Sequence, residues 1–134
     1  MDNEFEKIIN VIEEGFQPNN VTNEAEAEKE LIHFLTTRFP NKILGRGHTS
    51  TGVRIDIVIE GTYAIELVTL DSESRLVTLT HQILQSKEDF SKIAVIIIDL
   101  NKLPSAKIQH YVNEYEKLNV KTIVKKANKV KDFF

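Results

Sequence analysis

Gly52-Val53-Arg54-Ile55-Asp56-Ile57-Val58-Ile59-Glu60, followed by Gly61-Thr62 and then Tyr63-Ala64-Ile65-Glu66-Leu67-Val68, is the stretch on which the fold turns. Side chains of a strand alternate between its two faces. Regular alternation puts Ile55, Ile57 and Ile59 on one face and Asp56 on the other. In the second segment it puts Ile65 and Leu67 on one face, with Ala64, Glu66 and Val68 opposite. Glu60-Gly61-Thr62 reads as a tight hairpin that makes the two strands neighbours. Two carboxylates on one face of adjacent strands repel unless a proton or a cation is shared between them, and a hard divalent metal suits such a pair.

Working outward, Phe5, Ile8, Ile9 and Ile12 recur at helical spacing and predict a helix over 3–14, with Gly15 as its C-terminal cap. Gln17-Pro18-Asn19-Asn20 reads as a loop. A second helix is expected from about 23 to 38, capped by Thr22 or Asn23, striped by Ala27, Leu31, Phe34 and Leu35 and ended by Pro40. A first strand is expected near 42–46, then a loop through Gly47 to Gly52, then the two carboxylate strands at 53–60 and 63–69. A third helix at about 74–88 carries Leu76, Leu79, Ile83 and Leu84. Ile93-Ala94-Val95-Ile96-Ile97-Ile98 is a β-branched run suited to a strand buried on both faces. Pro104 opens a fourth helix with Ile108, Tyr111, Val112, Tyr115 and Leu118 at helical spacing, and a last strand follows at about 120–125. The order α-α-β-β-β-α-β-α-β predicts an α/β fold with a mixed central sheet flanked by helices.

At 134 residues the chain is long enough for one domain with a real core. It has no cysteine, which excludes disulfides and thiolate metal sites. No apolar run approaches the roughly 20 residues needed to cross a bilayer, and Met1-Asp2-Asn3-Glu4 carries no signal-peptide pattern. The cytoplasm is the expected compartment, without a membrane partner. A net charge of −3 does not mark a nucleic-acid binder by itself, but the charge is uneven. Residues 1–30 carry nine acids against Lys7 and Lys29, while 117–134 carry Lys117, Lys121, Lys125, Lys126, Lys129 and Lys131 against Asp132. A charge block of this kind is either a solvated end or a binding tail.

This order of elements, with these carboxylates, resembles the PD-(D/E)XK nuclease superfamily, whose restriction-endonuclease-like core is a helix, a three-strand antiparallel meander, a helix and a further strand. The resemblance covers 23–99, with 1–20 as an N-terminal helical extension and 104–134 as a C-terminal helix, strand and basic tail of the same single domain. Gly52-Val53-Arg54-Ile55-Asp56-Ile57-Val58-Ile59 is similar to the family's Asp strand and Ala64-Ile65-Glu66-Leu67-Val68 to its Glu-x-Lys strand. The resemblance implies Mg²⁺ or Mn²⁺ held by Asp56, Glu66, the main-chain carbonyl of Leu67 and a helix glutamate, Glu28 or else Glu24. It also implies a nucleic-acid substrate, expected to be DNA, with Gln82 of the third helix as a contact. A homodimer would supply two sites for the two strands of a duplex.

One position departs from the motif. Val68 stands where the family has the lysine that orients the attacking water and stabilises charge on the phosphate, and valine does neither. Arg54 or Lys87 is the expected surrogate; Arg54 equally suits an ion pair with Asp56 or Glu66. Gly45-Arg46-Gly47-His48-Thr49-Ser50-Thr51-Gly52 reads either as a plain hairpin loop or as a segment that holds a phosphate through its amides, Arg46 and His48. His33, His81 and His110 are scattered and give no zinc spacing. Three functions follow: a metal-dependent nuclease, a degenerate module of the same fold serving nucleic-acid binding or protein assembly, and an unrelated α/β regulator whose acids serve structure.

Overall fold

The structure, a computed structural model, describes residues 3–18, 23–42, 44–50, 52 and 54–127. Thr22 as a cap, the Ile43 and Val53 starts of two strands, Thr51, and the Lys129 and Lys131 end of the basic tail lie outside the described residues. The elements are α1 (Asn3–Gly15), α2 (Glu24–Arg38), β1 (Leu44–His48), β2 (Arg54–Ile59), β3 (Tyr63–Leu70), α3 (Glu73–Ser86), β4 (Lys92–Asp99), α4 (Ser105–Lys117) and β5 (Lys121–Lys126). They form a mixed five-stranded sheet in the order β1-β2-β3-β4-β5. β1, β2 and β3 are an antiparallel meander, while β4 and β5 join β3 in parallel.

Helices cover both faces of the sheet, and the apolar alternation along β4 shows why. Ala94, Ile96 and Ile98 pack with Phe5, Ile8, Ile12, Leu31 and Leu35 of α1 and α2. Ile93, Val95 and Ile97 pack with Leu76, Leu79 and Ile83 of α3 and with Ile108 and Tyr115 of α4. Parallel neighbours need crossover connections, and α3 and α4 supply them on one face. The opposite face falls to the two helices that precede the sheet. Tyr115 is fully buried, and its hydroxyl donates to the Leu76 carbonyl at 3.0 Å and lies 2.9 Å from Thr80 Oγ1, which fastens α4 to α3.

Local chemistry sets most boundaries. Asn23 caps α2 by accepting the Glu26 N–H at 2.9 Å, and the Phe39 N–H closes the helix on the Leu35 carbonyl. Ile59 pairs with Tyr63, so Glu60, Gly61 and Thr62 make the hairpin, with φ of 52° at Glu60 and 70° at Gly61. Gly15 does not take the left-handed cap expected of it. It is the last residue of α1, and a Cβ there would come within 3.3 Å of the Phe34 ring, so close approach of the helices is what requires glycine.

Other expectations need correction. β1 runs past the 42–46 reading, because Gly47 and His48, read as loop, pair with Ile55 and Arg54 of β2. Leu84 is 46% exposed; Leu76, Leu79 and Ile83 form the buried stripe of α3, and Leu84 lies beside Val77 on the outer flank. The apolar face of α1, the helix that lies outside the family core, is spent inside the molecule on the same core as α2. Ile55 does not share a face with Ile57 and Ile59. It packs with the α3 layer, whereas Ile57 and Ile59 pack with α1 and α2. The cause lies in β2 itself and belongs to the site.

Candidate functional site

Gly45 pairs with Val58 and Gly47 with Ile55, so two steps along β1 match three along β2. The extra residue is a bulge that sets both Asp56 and Ile57 against Arg46. It shifts the alternation by one, which sends Ile55 and Ile57 to opposite cores and re-aims Asp56. The ladder between β2 and β3 also ends here, at Ile57 and Ile65, although β3 continues beside β4 to Leu70. From Glu66 onward the edge of β3 facing β2 is therefore without a backbone partner from that strand.

Carboxylates fill the gap. The Leu67 N–H donates to Asp56 Oδ2 at 2.8 Å, and the Thr69 N–H donates to Glu24 Oε1 at 3.1 Å. In return the Asp56 N–H donates to Glu66 Oε1 at 3.2 Å. Asp56 and Glu66 thus brace each other's strands through side chain and main chain at the point where the strands part. Because a strand residue presents its N–H and its C=O on the same side, the Leu67 carbonyl opens toward this gap as well.

Glu66 is only 1% exposed, and its Oε2 is buried with no hydrogen-bond partner among the described residues. Burial, reinforced by the charge of Asp56 and by direct contact with its carboxyl, pushes the Glu66 carboxyl up to about 8. The Asp56 N–H and the charge of Arg54 oppose that rise without cancelling it. Glu24 is raised as well, mainly by burial, with Asp56 and Glu28 adding repulsion and the Thr69 N–H and Arg75 pulling the other way. The charge of Asp56 therefore acts on both Glu66 and Glu24.

Glu28 is held differently. It is 3% exposed and accepts from Arg46 Nε at 2.9 Å and from Arg54 Nη2 at 3.2 and 3.4 Å, with Arg46 Nη2 also 2.9 Å from its Oε1. Arg54 accordingly pairs with Glu28, not with Asp56 or Glu66, while its charge still reaches Glu66. Glu24, the alternative helix glutamate, is tied to Arg75 at 3.3 Å as well as to Thr69.

The structure brings together Asp56, Glu66, Leu67, Glu28, Arg46 and Arg54. It places Lys87 and Gln82 elsewhere, and His48 at the rim beside Arg54. Lys87 is the C-cap of α3, and its ammonium donates to the Leu118 carbonyl at 2.7 Å, toward the α4–β5 turn. Gln82 lines a shallow surface patch of α3 with Thr78, His81 and Gln85. His48 is an exposed strand-end residue opposite Arg54 in the β1–β2 register. Val68 is buried against α3 with Ala64, Leu76 and Leu79, so no charge occupies the lysine position of the motif. Arg75 is absent from the residues that the sequence singles out; its four-residue spacing from Asp71, with which it pairs at 3.4 Å, is the available signal.

Among the described residues no three of His, Cys, Asp and Glu are grouped as a ready metal cage. Glu28 and Glu24 give their charge to arginines, which leaves the Asp56–Glu66 pair and the Leu67 carbonyl. That set suits Mg²⁺ or Mn²⁺ better than a dedicated calcium cage, because Mg²⁺ is commonly held by one or two carboxylates together with water and substrate phosphate. The orphaned Glu66 Oε2 is the donor that fits. No family model, curated protein or solved structure matches this chain.

Proposed function

We propose that this protein is a divalent-cation-dependent phosphodiesterase acting on nucleic acid, built as a restriction-endonuclease-like domain. The observation that carries the reading is Glu66 Oε2, buried and unpaired beside Asp56 where β2 and β3 part. Burying a polar oxygen without a partner is costly, and a hard cation relieves that cost. The run of α2, the β1–β3 meander, α3 and β4 supports the fold assignment. Asp56, Glu66 and the Leu67 carbonyl would hold Mg²⁺ or Mn²⁺, which supplies polarisation of a phosphoryl oxygen and a more acidic water. The guanidinium groups of Arg46 and Arg54 supply positive charge at the site's edge in place of the motif lysine.

A second reading, a nucleic-acid-binding module without cleavage, is favoured by two observations: Val68 is packed into the α3 core, and Lys87 is engaged at Leu118. Two measurements separate the readings. The first is thermal stability with and without Mn²⁺, which a ligand of the folded state raises. The second is cleavage of labelled DNA and RNA with Mg²⁺ or Mn²⁺. The nuclease reading expects a Mn²⁺-dependent rise in Tm and metal-dependent cleavage, both lost in Asp56→Ala and Glu66→Ala. Stabilisation without cleavage selects the binding module. Cleavage that survives both substitutions puts the chemistry elsewhere.

A further inference from the structure

We infer that Glu28 is a positioning residue and that it holds Arg46 and Arg54 as a seat for a backbone phosphodiester of the nucleic acid, next to the Asp56–Glu66 pair. The inference rests on the nucleic-acid reading above and changes what one of its acids does. Glu28 lies on a helix in the place where the resemblance implies a metal ligand, yet both of its oxygens are taken by guanidinium groups. A cation entering there would have to displace two like charges. One buried carboxylate between two guanidiniums leaves a surplus of one positive charge, and the two arginine side chains are 57% and 51% exposed while that of Glu28 is 4% exposed.

The anchor is therefore inside and the cations face outward. Each guanidinium has five N–H donors, so both retain donors beyond those given to Glu28. Two such forks side by side match the non-bridging oxygens of a phosphate better than two free lysines, because Glu28 has already fixed their geometry. Their placement ties the seat to the reacting pair. Arg46 stands opposite the bulge at Asp56 and Ile57, and the charge of Arg54 reaches Glu66. The chain is acidic overall, so a local seat of this kind accounts for an anionic polymer approaching this face of a protein with net charge −3.

The test is anisotropy titration of a labelled DNA duplex and an RNA duplex of the same sequence across a salt series in EDTA, with Mn²⁺-dependent Tm recorded for each variant. Arg46→Ala and Arg54→Ala are each expected to weaken the bound duplex about five- to tenfold near 0.1 M salt and to lower the salt slope by about 1. Arg54→Lys is expected to keep the slope and bind less tightly than the parent, because the charge remains and the fork is lost. Glu28→Gln is expected to weaken binding while leaving the Mn²⁺-dependent rise in Tm in place. Loss of that rise in Glu28→Gln would make Glu28 a metal ligand and overturn the inference. So would affinities within about twofold of the parent in both arginine variants, or no binding of either duplex by the parent. The arginine side chains are half exposed and each variant leaves Glu28 one guanidinium partner, so these variants decide the phosphate seat even if Glu28→Gln fails to fold. Arginine-dependent binding without cleavage keeps the seat and rejects the nuclease; cleavage with arginine-independent binding does the reverse.

Discussion

Glu66 joins stability to function through a single carboxyl. Its ordinary value is 4.5, and in the folded protein burial and Asp56 hold it up at about 8. Between those values the folded state keeps a proton that the unfolded state releases, so stability falls as pH rises through this window and is greatest, for this group, below it. A difference of that size is worth on the order of 4 kcal/mol. Thermal melts in EDTA at pH 5 and pH 8 should show a marked fall in Tm for the parent and a much flatter profile for Glu66→Gln, which should be the more stable of the two at pH 8. Equal slopes would show that Glu66 does not carry the effect. Asp56 and Glu66 stood out in the sequence because an acid flanked by large aliphatic residues, Ile55 and Ile57 or Ile65 and Leu67, has no ordinary place in a strand. The partners of Glu28 were not, because the arginines reach it from β1 and β2 across 18 and 26 positions of chain. Proximity of that kind is created by tertiary pairing and leaves no local spacing to read.

At the scale of elements the bulge in β2 governs the site, and it is also where regular alternation misled. Periodicity alone assigns Ile55, Ile57 and Ile59 to one face; one extra residue divides them between two cores. The end of β1 was read too early for a related reason, since Gly47 has weak strand propensity and is a strand residue only through its pairing with β2. Gly47 is required there because a Cβ would fall 2.6 Å from Val58 Cγ2, too close for a short branched side chain to move away cheaply. Gly47→Ala should therefore destabilise by about 1–3 kcal/mol through overpacking. Val58→Ala, which removes the clashing methyl, should recover much of that loss in the double variant. Denaturant melts of the four proteins of this cycle measure it, and simple additivity of the two losses would contradict the steric account.

Over the whole molecule, the α/β class, the element order and the doubly buried β4 followed from hydrophobic pattern, because runs as long as Ile93 to Ile98 allow few alternatives. What pattern could not assign was the place of α1. An amphipathic helix fits equally well against its own sheet or against a partner. Here Phe5, Ile8, Ile12 and Phe16 are 2% exposed or less, within the core beneath α2. Ile12→Ala should accordingly cost about 2–5 kcal/mol, as for any large-to-small change in a closed core. A loss under about 0.5 kcal/mol, typical of surface changes, would show that α1 is an appendage.

The neighbours of α1 carry a further consequence. Its core includes Ile123 of β5, its Glu6 lies 4.0 Å from Lys121, and the Glu13 carbonyl accepts from the Lys125 ammonium. α1, the first helix in chain order, thus rests in part on β5, the last strand of the described sheet. The sheet can grow one strand at a time, since every strand pairs with its predecessor in the chain. The apolar side of α1 is covered in stages, by Tyr63 and Ile65 of β3, then by Ala94, Ile96 and Ile98 of β4, and last by Ile123 of β5. Its cover is complete only once β5 is in place, so a chain that has not yet added this strand keeps part of that apolar face open to aggregation.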